Sequence, residues 1–115
     1  MAGDRVAAAE RGEITIADRV VAKIAARAAR EALGGVPEGG AAPHATVTVH
    51  HGSAHVRVGV ELDYPTDIGA RCGAVRQQVV HRVHALAGMD VPEVVVQVER
   101  LHSVHSRGVA QGRIR

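Results

Sequence analysis

The stretch Gly12–Val36, GEITIADRVVAKIAARAAREALGGV, contains the signals of a short strand, a helix and the end of that helix. Residues 13–16 alternate between polar and apolar side chains with period two, which predicts a strand. Asp18, or the residue before it, can cap the helix that follows, and Gly34 and Gly35 supply its left-handed end. Because the stretch contains no pattern of catalytic residues, it indicates packing and surface display.

The predicted first helix has a face of mostly small apolar side chains. That face comprises Val20, Val21, Ile24, Ala25, Ala28 and Ala32. The chain of 115 residues has no Phe or Trp and one Tyr, and its 20 Val and 20 Ala outnumber its four Leu and five Ile. Helices must therefore approach their partners closely, and such a core gains little buried area per residue. We expect a marginally stable monomer or the burial of one face in an oligomer.

Residues 45–51 and 54–63 predict a β-hairpin whose two-residue turn is Gly52 and Ser53. In that register His50 lies opposite His55, and alternation separates a buried face from a wetter one. The buried face comprises Val47, Val49, Val56, Val58, Val60 and Leu62, and the wetter face comprises Thr46, Thr48, His50, His55, Arg57 and Glu61.

A second helix and a final strand follow the hairpin. Pro65 ends the preceding strand, Thr66 or Asp67 caps the helix, and Gly88 ends it. Its inner stripe comprises Ile68, Cys72, Val75, Val79, Val83 and Leu86. Residues 91–101 form the last strand, with Val94, Val96 and Val98 facing inward and Gln97 and Glu99 facing outward. Val95 interrupts this alternation and indicates that the outer face is covered as well.

The predicted order is strand, helix, strand, strand, helix, strand. It favours an α+β two-layer sandwich with both helices on one face of a mostly antiparallel sheet. If the first strand is only an extended lead-in, the order becomes helix, strand, strand, helix, strand, which is nearer to KH-like domains. We predict a flexible N-terminal arm over residues 1–11, a single domain over residues 12–101 and a basic disordered tail over residues 102–115.

The formal net charge of +2 is unevenly distributed. Residues 100–115 contain four arginines and no acidic residue, whereas residues 1–99 contain ten basic and twelve acidic residues. A nucleic-acid-binding domain more often carries its positive charge on the fold itself. Cys72, the single cysteine, excludes an internal disulfide and suits a reducing compartment. Since no leader and no apolar run of about 20 residues occurs, we expect a soluble cytoplasmic protein.

Two blocks of the chain resemble the alkaline shock, or envelope stress response, protein family of Gram-positive bacteria. The first is Gly12–Val36; the second is Val56–Leu101, with its strand to Tyr64, the VRQQV segment of Val75–Val79, a glycine and a valine-rich closing strand. Pro65 stands where family members usually have glycine, and the hairpin is richer in histidine.

This resemblance implies a small non-enzymatic cytoplasmic protein that is linked to cell-envelope homeostasis. Some members of the family assemble with themselves and are held at the inner membrane surface by a membrane-anchored partner. The resemblance carries no catalytic residue, cofactor or small-molecule substrate over to this chain.

One row of basic side chains is the best candidate for an interaction face. Arg19, Lys23, Arg27 and Arg30 recur at spacings of four, four and three, so they share one side of the first helix. Arg71, Gln78 and Arg82 extend this surface if the second helix lies alongside. The plain interpretation is a solvated helix face; the functional one is docking to an acidic partner or to anionic headgroups.

Other chemistry is less well supported by the sequence. A KH-like nucleic-acid-binding module using the arginines and the tail is the alternative function, although no GXXG loop and no stacking aromatics support it. His50 and His55 suggest a shared metal ion, but no third ligand is specified, so we predict no metal site. Without a recognisable catalytic pattern, and with Cys72 on a buried stripe, we predict no enzyme activity and no cofactor.

Overall fold

Two helices pack on one face of a three-stranded sheet in the computed structural model, which describes residues 16–103. In chain order the elements are α1 (Ile16–Leu33), β1 (His44–His50), β2 (Ser53–Tyr64), α2 (Ile68–Ala87) and β3 (Asp90–Ser103). The α+β two-layer class is therefore confirmed, and the described order is the helix-first alternative. The predicted arm and residues 13–15 of the predicted first strand lie outside the described residues.

The start of α1 differs from the prediction. Ile16 was expected in a strand, but it is the first residue of the helix. Asp18 consequently lies in the first helical turn and does not precede the helix. Its carboxylate is buried and accepts a hydrogen bond from the backbone N–H of Val49 at 3.2 Å. The side chain expected to cap α1 thus ties this helix to β1.

The end of α1 is the predicted left-handed stop. Gly34 and Gly35 have φ of 74° and 132°. The N–H of Gly35 donates to the carbonyl of Arg30, and the N–H of Gly34 donates to the carbonyl of Glu31, each at 3.2 Å. This pair of bonds is the Schellman pattern, which satisfies carbonyls that would otherwise lack partners at a helix end.

The hairpin forms, but its predicted register is wrong. The central turn residues are His51 and Gly52, with φ of 51° and 76°, as in a type I′ turn. Consequently Thr48 lies opposite His55, and His50 lies opposite Ser53. Because each predicted pairing is displaced by two residues, every side chain stays on its predicted face. The valine face packs inward, and the threonine and histidine face remains open.

The sheet is mixed and not mostly antiparallel. β2 lies in the centre, pairs antiparallel with β1 and pairs parallel with β3. The chain leaves β2, crosses the sheet through α2 and re-enters in the same direction, as a helical crossover requires. β3 also continues to Ser103, two residues beyond the predicted end of the last strand. The rest of the predicted tail lies outside the described residues.

The ends of α2 agree with the prediction. Asp67 is the N-cap and accepts a hydrogen bond from the N–H of Ala70 at 3.0 Å. Gly88 ends the helix with φ of 65°, and its N–H donates to the carbonyl of His84. Of the predicted inner stripe, Ile68 and Leu86 are instead exposed, because they lie at the two ends of the helix.

The core lies between the helices and the inner face of the sheet. Its buried members are Val21, Ala25, Ala28, Ala29, Leu33, Ala54, Val56, Val58, Val60, Leu62, Val75, Val79 and Val83. Val94, Val96 and Val98 face this core, as predicted, and are partly buried. Val20 was expected inside but is 49% exposed. The predicted core of small side chains is confirmed, with Leu62 among its largest fully buried members.

Candidate interaction surfaces

The four basic side chains predicted to form a row are all exposed on α1. Together they form a basic row, which comprises Arg19, Lys23, Arg27 and Arg30. Within residues 16–103, no member of the basic row makes an ion pair or a side-chain hydrogen bond with another described residue. The row therefore presents its positive charge to the surroundings.

Lys23 and Arg27 border an open groove between α1 and α2. The groove has a volume of about 450 Å³ and includes the apolar side chains of Ile24 and Leu86. Leu86 is 64% exposed, the largest exposure among the large apolar side chains described. Apolar side chains with a charged rim are typical of a protein contact surface.

The predicted extension of the basic row onto α2 is only partly realised. Arg71 donates from a terminal nitrogen to the carbonyl of Leu33 at 3.1 Å, so it is committed to the end of α1. Arg82 donates to Glu31 at 3.2 Å, and Gln78 donates to the same carboxylate at 3.1 Å. Both bonds join the two helices, and the ion pair with Arg82 neutralises Glu31, which lines the groove. The basic row on α1 remains the unneutralised part of the surface.

The open face of the sheet carries three histidine–glutamate pairs that the sequence did not reveal. His44 of β1 contacts Glu99 of β3 at 2.7 Å between Nε2 and Oε1. This pair spans the central strand above Gly59, where a β-carbon would collide with both side chains. Partners that are 55 residues apart in the chain leave no local signal. The one local indication is a glycine within a strand, Gly59, which is typical of a site where other groups approach the backbone closely.

The second pair joins Glu61 of β2 to His102 of β3 at 2.6 Å. Glu61 also accepts the backbone N–H of Ala41 at 3.2 Å, which holds the α1–β1 loop against the sheet. The hydrogen bond from His102, followed by that from Ala41, lowers the pKa of the Glu61 carboxyl below its usual value. His102, which was predicted to lie in a disordered tail, is therefore part of the folded sheet.

The third pair is looser: His55 Nδ1 lies 3.9 Å from a carboxylate oxygen of Glu93. Both side chains border a hollow of about 310 Å³ in the open face. Val95 lies in this hollow and is half-buried, although no described helix or strand covers the face. Residues 16–103 therefore do not provide the cover of the outer face that Val95 predicts.

The histidines within residues 16–103 do not form the cluster that a metal ion needs. The corrected register separates His50 from His55, and the ring of His50 instead meets His51 edge-on, with centroids 4.1 Å apart. Among residues 16–103 there is no group of three or more His, Cys, Asp or Glu side chains arranged to hold a metal ion.

Cys72 lies on the inner stripe of α2, as predicted, and is only 7% exposed. A thiol with so little exposure is poorly accessible to reagents and reacts slowly. The described part of the chain also has no helix that is both long enough and apolar enough to span a membrane.

Together these features define a small two-layer α+β domain with a basic helical face and an open sheet face lined by histidine and glutamate. Comparison of the chain with protein-family models, curated proteins and solved structures finds no match in any of the three.

Proposed function

We propose that this chain is a non-enzymatic cytoplasmic protein that acts by association with other proteins. It docks through the basic row to an acidic surface of a membrane-anchored partner, and it also associates with itself. The observation that carries this proposal is the exposed, unneutralised row of Arg19, Lys23, Arg27 and Arg30 beside the groove at Leu86. The resemblance to envelope stress response proteins supports a role in cell-envelope homeostasis.

The physical case combines charge with apolar contact. An exposed ion pair contributes only about 0.2–1 kcal/mol, so a row of four charges is insufficient for stable binding. Burial of Leu86 and Ile24 beneath a partner adds hydrophobic free energy of binding. The charges select an acidic partner and increase the rate of association. We therefore expect a salt-sensitive interaction of moderate affinity, suited to reversible recruitment.

Co-sedimentation with membranes tests the docking surface. The probe is inverted membrane vesicles from a Gram-positive bacterium, with or without prior protease treatment of their surface. We expect the full chain to sediment with untreated vesicles, and the Lys23→Glu, Arg27→Glu double variant to stay in the supernatant. Protease treatment should also abolish sedimentation, because the proposed partner is a protein and not a lipid headgroup.

A matched double variant controls for the change in net charge. Arg57→Glu with Arg76→Glu reverses two exposed arginines outside the basic row and should sediment like the original chain. Far-UV circular dichroism must show that both variants are folded. If the Lys23 and Arg27 variant sediments normally, or if protease-treated vesicles bind equally well, the proposed docking mode is wrong.

The helix-first element order is the observation that favours the alternative, a nucleic-acid-binding module. However, α1 and α2 are separated by the hairpin, so no short GXXG loop joins two helices in the described part of the chain. The open sheet face also has no Phe, Tyr or Trp side chain for base stacking within residues 16–103. Retention on RNA or DNA at low salt that falls steeply as salt rises would favour this alternative.

A further inference from the structure

Charge in this domain is segregated between its two layers. Within residues 16–103 the two helices contain seven basic and two acidic side chains, whereas the three strands contain two basic and five acidic ones. The helices therefore carry a net charge of +5 and the strands a net charge of −3, with histidine counted as neutral. The small net charge of the whole chain conceals this difference between the two layers.

The open sheet face is the acidic counterpart of the basic row. It carries four carboxylates, Glu61, Asp63, Glu93 and Glu99, against the two arginines Arg57 and Arg100. It also has one apolar side chain, Val95, which lines the hollow beside Glu93. Each layer of the domain thus presents one charged surface that contains an accessible apolar side chain.

We infer that copies of this chain associate head to tail, with the helical face of one copy on the open sheet face of the next. The inference deepens the proposed self-association and rests on it. Oppositely charged surfaces attract when they meet, whereas a two-fold dimer through either face would bring like charges together. Because the two surfaces lie on opposite sides of one domain, each added copy leaves both kinds of surface free at the ends.

The contact unites the same side chains that define the two surfaces. Lys23 and Arg27 face the carboxylates of the neighbouring copy, and Leu86 approaches the hollow at Val95. Burial of Leu86, which is 64% exposed in the single copy, supplies the apolar part of the contact. A partner protein with an acidic surface competes for the same helical face, so recruitment and self-association exclude each other at the end of a stack.

A charge-swap experiment tests this arrangement. Sedimentation velocity is measured for the full chain, for a helix variant (Lys23→Glu with Arg27→Glu) and for a sheet variant (Glu93→Lys with Glu99→Lys). In about 20 mM salt we expect the original chain to form concentration-dependent species larger than the 12.0 kDa monomer, and both variants to associate at least about tenfold more weakly. An equimolar mixture of the variants should recover association, because each supplies the surface that the other has lost.

Other outcomes overturn the inference. A monomeric original chain, association that both variants retain, or an equimolar mixture that stays monomeric each contradicts the head-to-tail contact. Glu93→Lys alone is the substitute if the double sheet variant does not fold, since Glu93 makes only the looser contact at 3.9 Å. The sheet variant keeps the basic row, so its sedimentation with membrane vesicles tests the proposed docking separately. Self-association that both variants retain, together with normal vesicle binding by the sheet variant, contradicts this inference alone.

Discussion

The guanidinium of Arg71 lies beneath the end of α1, where a terminal nitrogen donates to the carbonyl of Leu33 at 3.1 Å. Its Nε is buried without a hydrogen-bond partner among the described residues. Burial of a charged group costs free energy, and the bond from the terminal nitrogen to Leu33 offsets part of that cost. An arginine that the sequence assigned to an interaction surface thus joins α2 to α1.

Substitution of Arg71 tests this structural role. We expect Arg71→Ala to lower the free energy of unfolding by about 1–2 kcal/mol, because the carbonyl of Leu33 loses a charged donor. The measurement is urea unfolding followed by circular dichroism. Arg76→Ala, an exposed position on the same helix, is the control and should change the free energy by less than about 0.5 kcal/mol. Equal effects at the two positions would contradict the assigned role.

Glu61 makes the stability of the fold depend on pH. Its pKa is below the usual value of 4.5, chiefly because His102 hydrogen-bonds to the ionised carboxylate. The ionised form therefore stabilises the folded state above that usual value, and this contribution is lost as pH falls through the folded-state pKa.

The corresponding test is a pH series of urea midpoints for Glu61→Gln. We expect the variant to unfold at lower urea than the original chain near neutral pH, and the difference to shrink below about pH 4.5. Glu38→Gln, which changes an exposed glutamate in the α1–β1 loop, serves as the comparison. A difference for Glu61→Gln that stays constant over the whole acid range would rule out the carboxylate as its source.

At the scale of elements, the β1–β2 turn depends on two residues in the left-handed region. His51 has φ of 51° and tolerates this conformation less well than Asn, which is favoured in type I′ turns. We expect His51→Asn to raise the free energy of unfolding by a few tenths to about 1 kcal/mol, measured by thermal and urea unfolding. His50→Asn, one residue earlier and within β1, should bring no gain. An absence of any gain for His51→Asn would instead favour the turn at Gly52 and Ser53.

Local signals explain which elements could be predicted. The stop at Gly34 and Gly35, the cap at Asp67 and the stop at Gly88 each depend on residues within one turn of a helix end, and all three are confirmed. The two faces of the hairpin were also predictable, because a shift of the strand pairing by two residues leaves each side chain on the same face of the sheet. Its exact turn was not, because Gly52 fits either central position of a two-residue turn.

At the scale of the whole molecule, the features that were missed depend on distant parts of the chain. The parallel pairing of β2 with β3 is decided by the path of α2 across the sheet, which no segment of the sequence specifies alone. The pair of His44 and Glu99 requires three strands to assemble. The basic row was predictable because all its members lie on one helix, whereas its acidic counterpart lies on separate strands.

The close approach of the layers is a property of the whole core and can be tested at one position. Ala29 is completely buried in α1, whereas Ala26 on the same helix is partly exposed. We expect Ala29→Leu to lower the free energy of unfolding by about 1–3 kcal/mol, because a core without large aromatic side chains leaves no room at that contact. Ala26→Leu adds the same volume at nearly the same helix propensity and should cost less than about 0.5 kcal/mol. Urea unfolding of the two variants makes the comparison, and equal stability would mean that the layers can separate to accept a larger side chain.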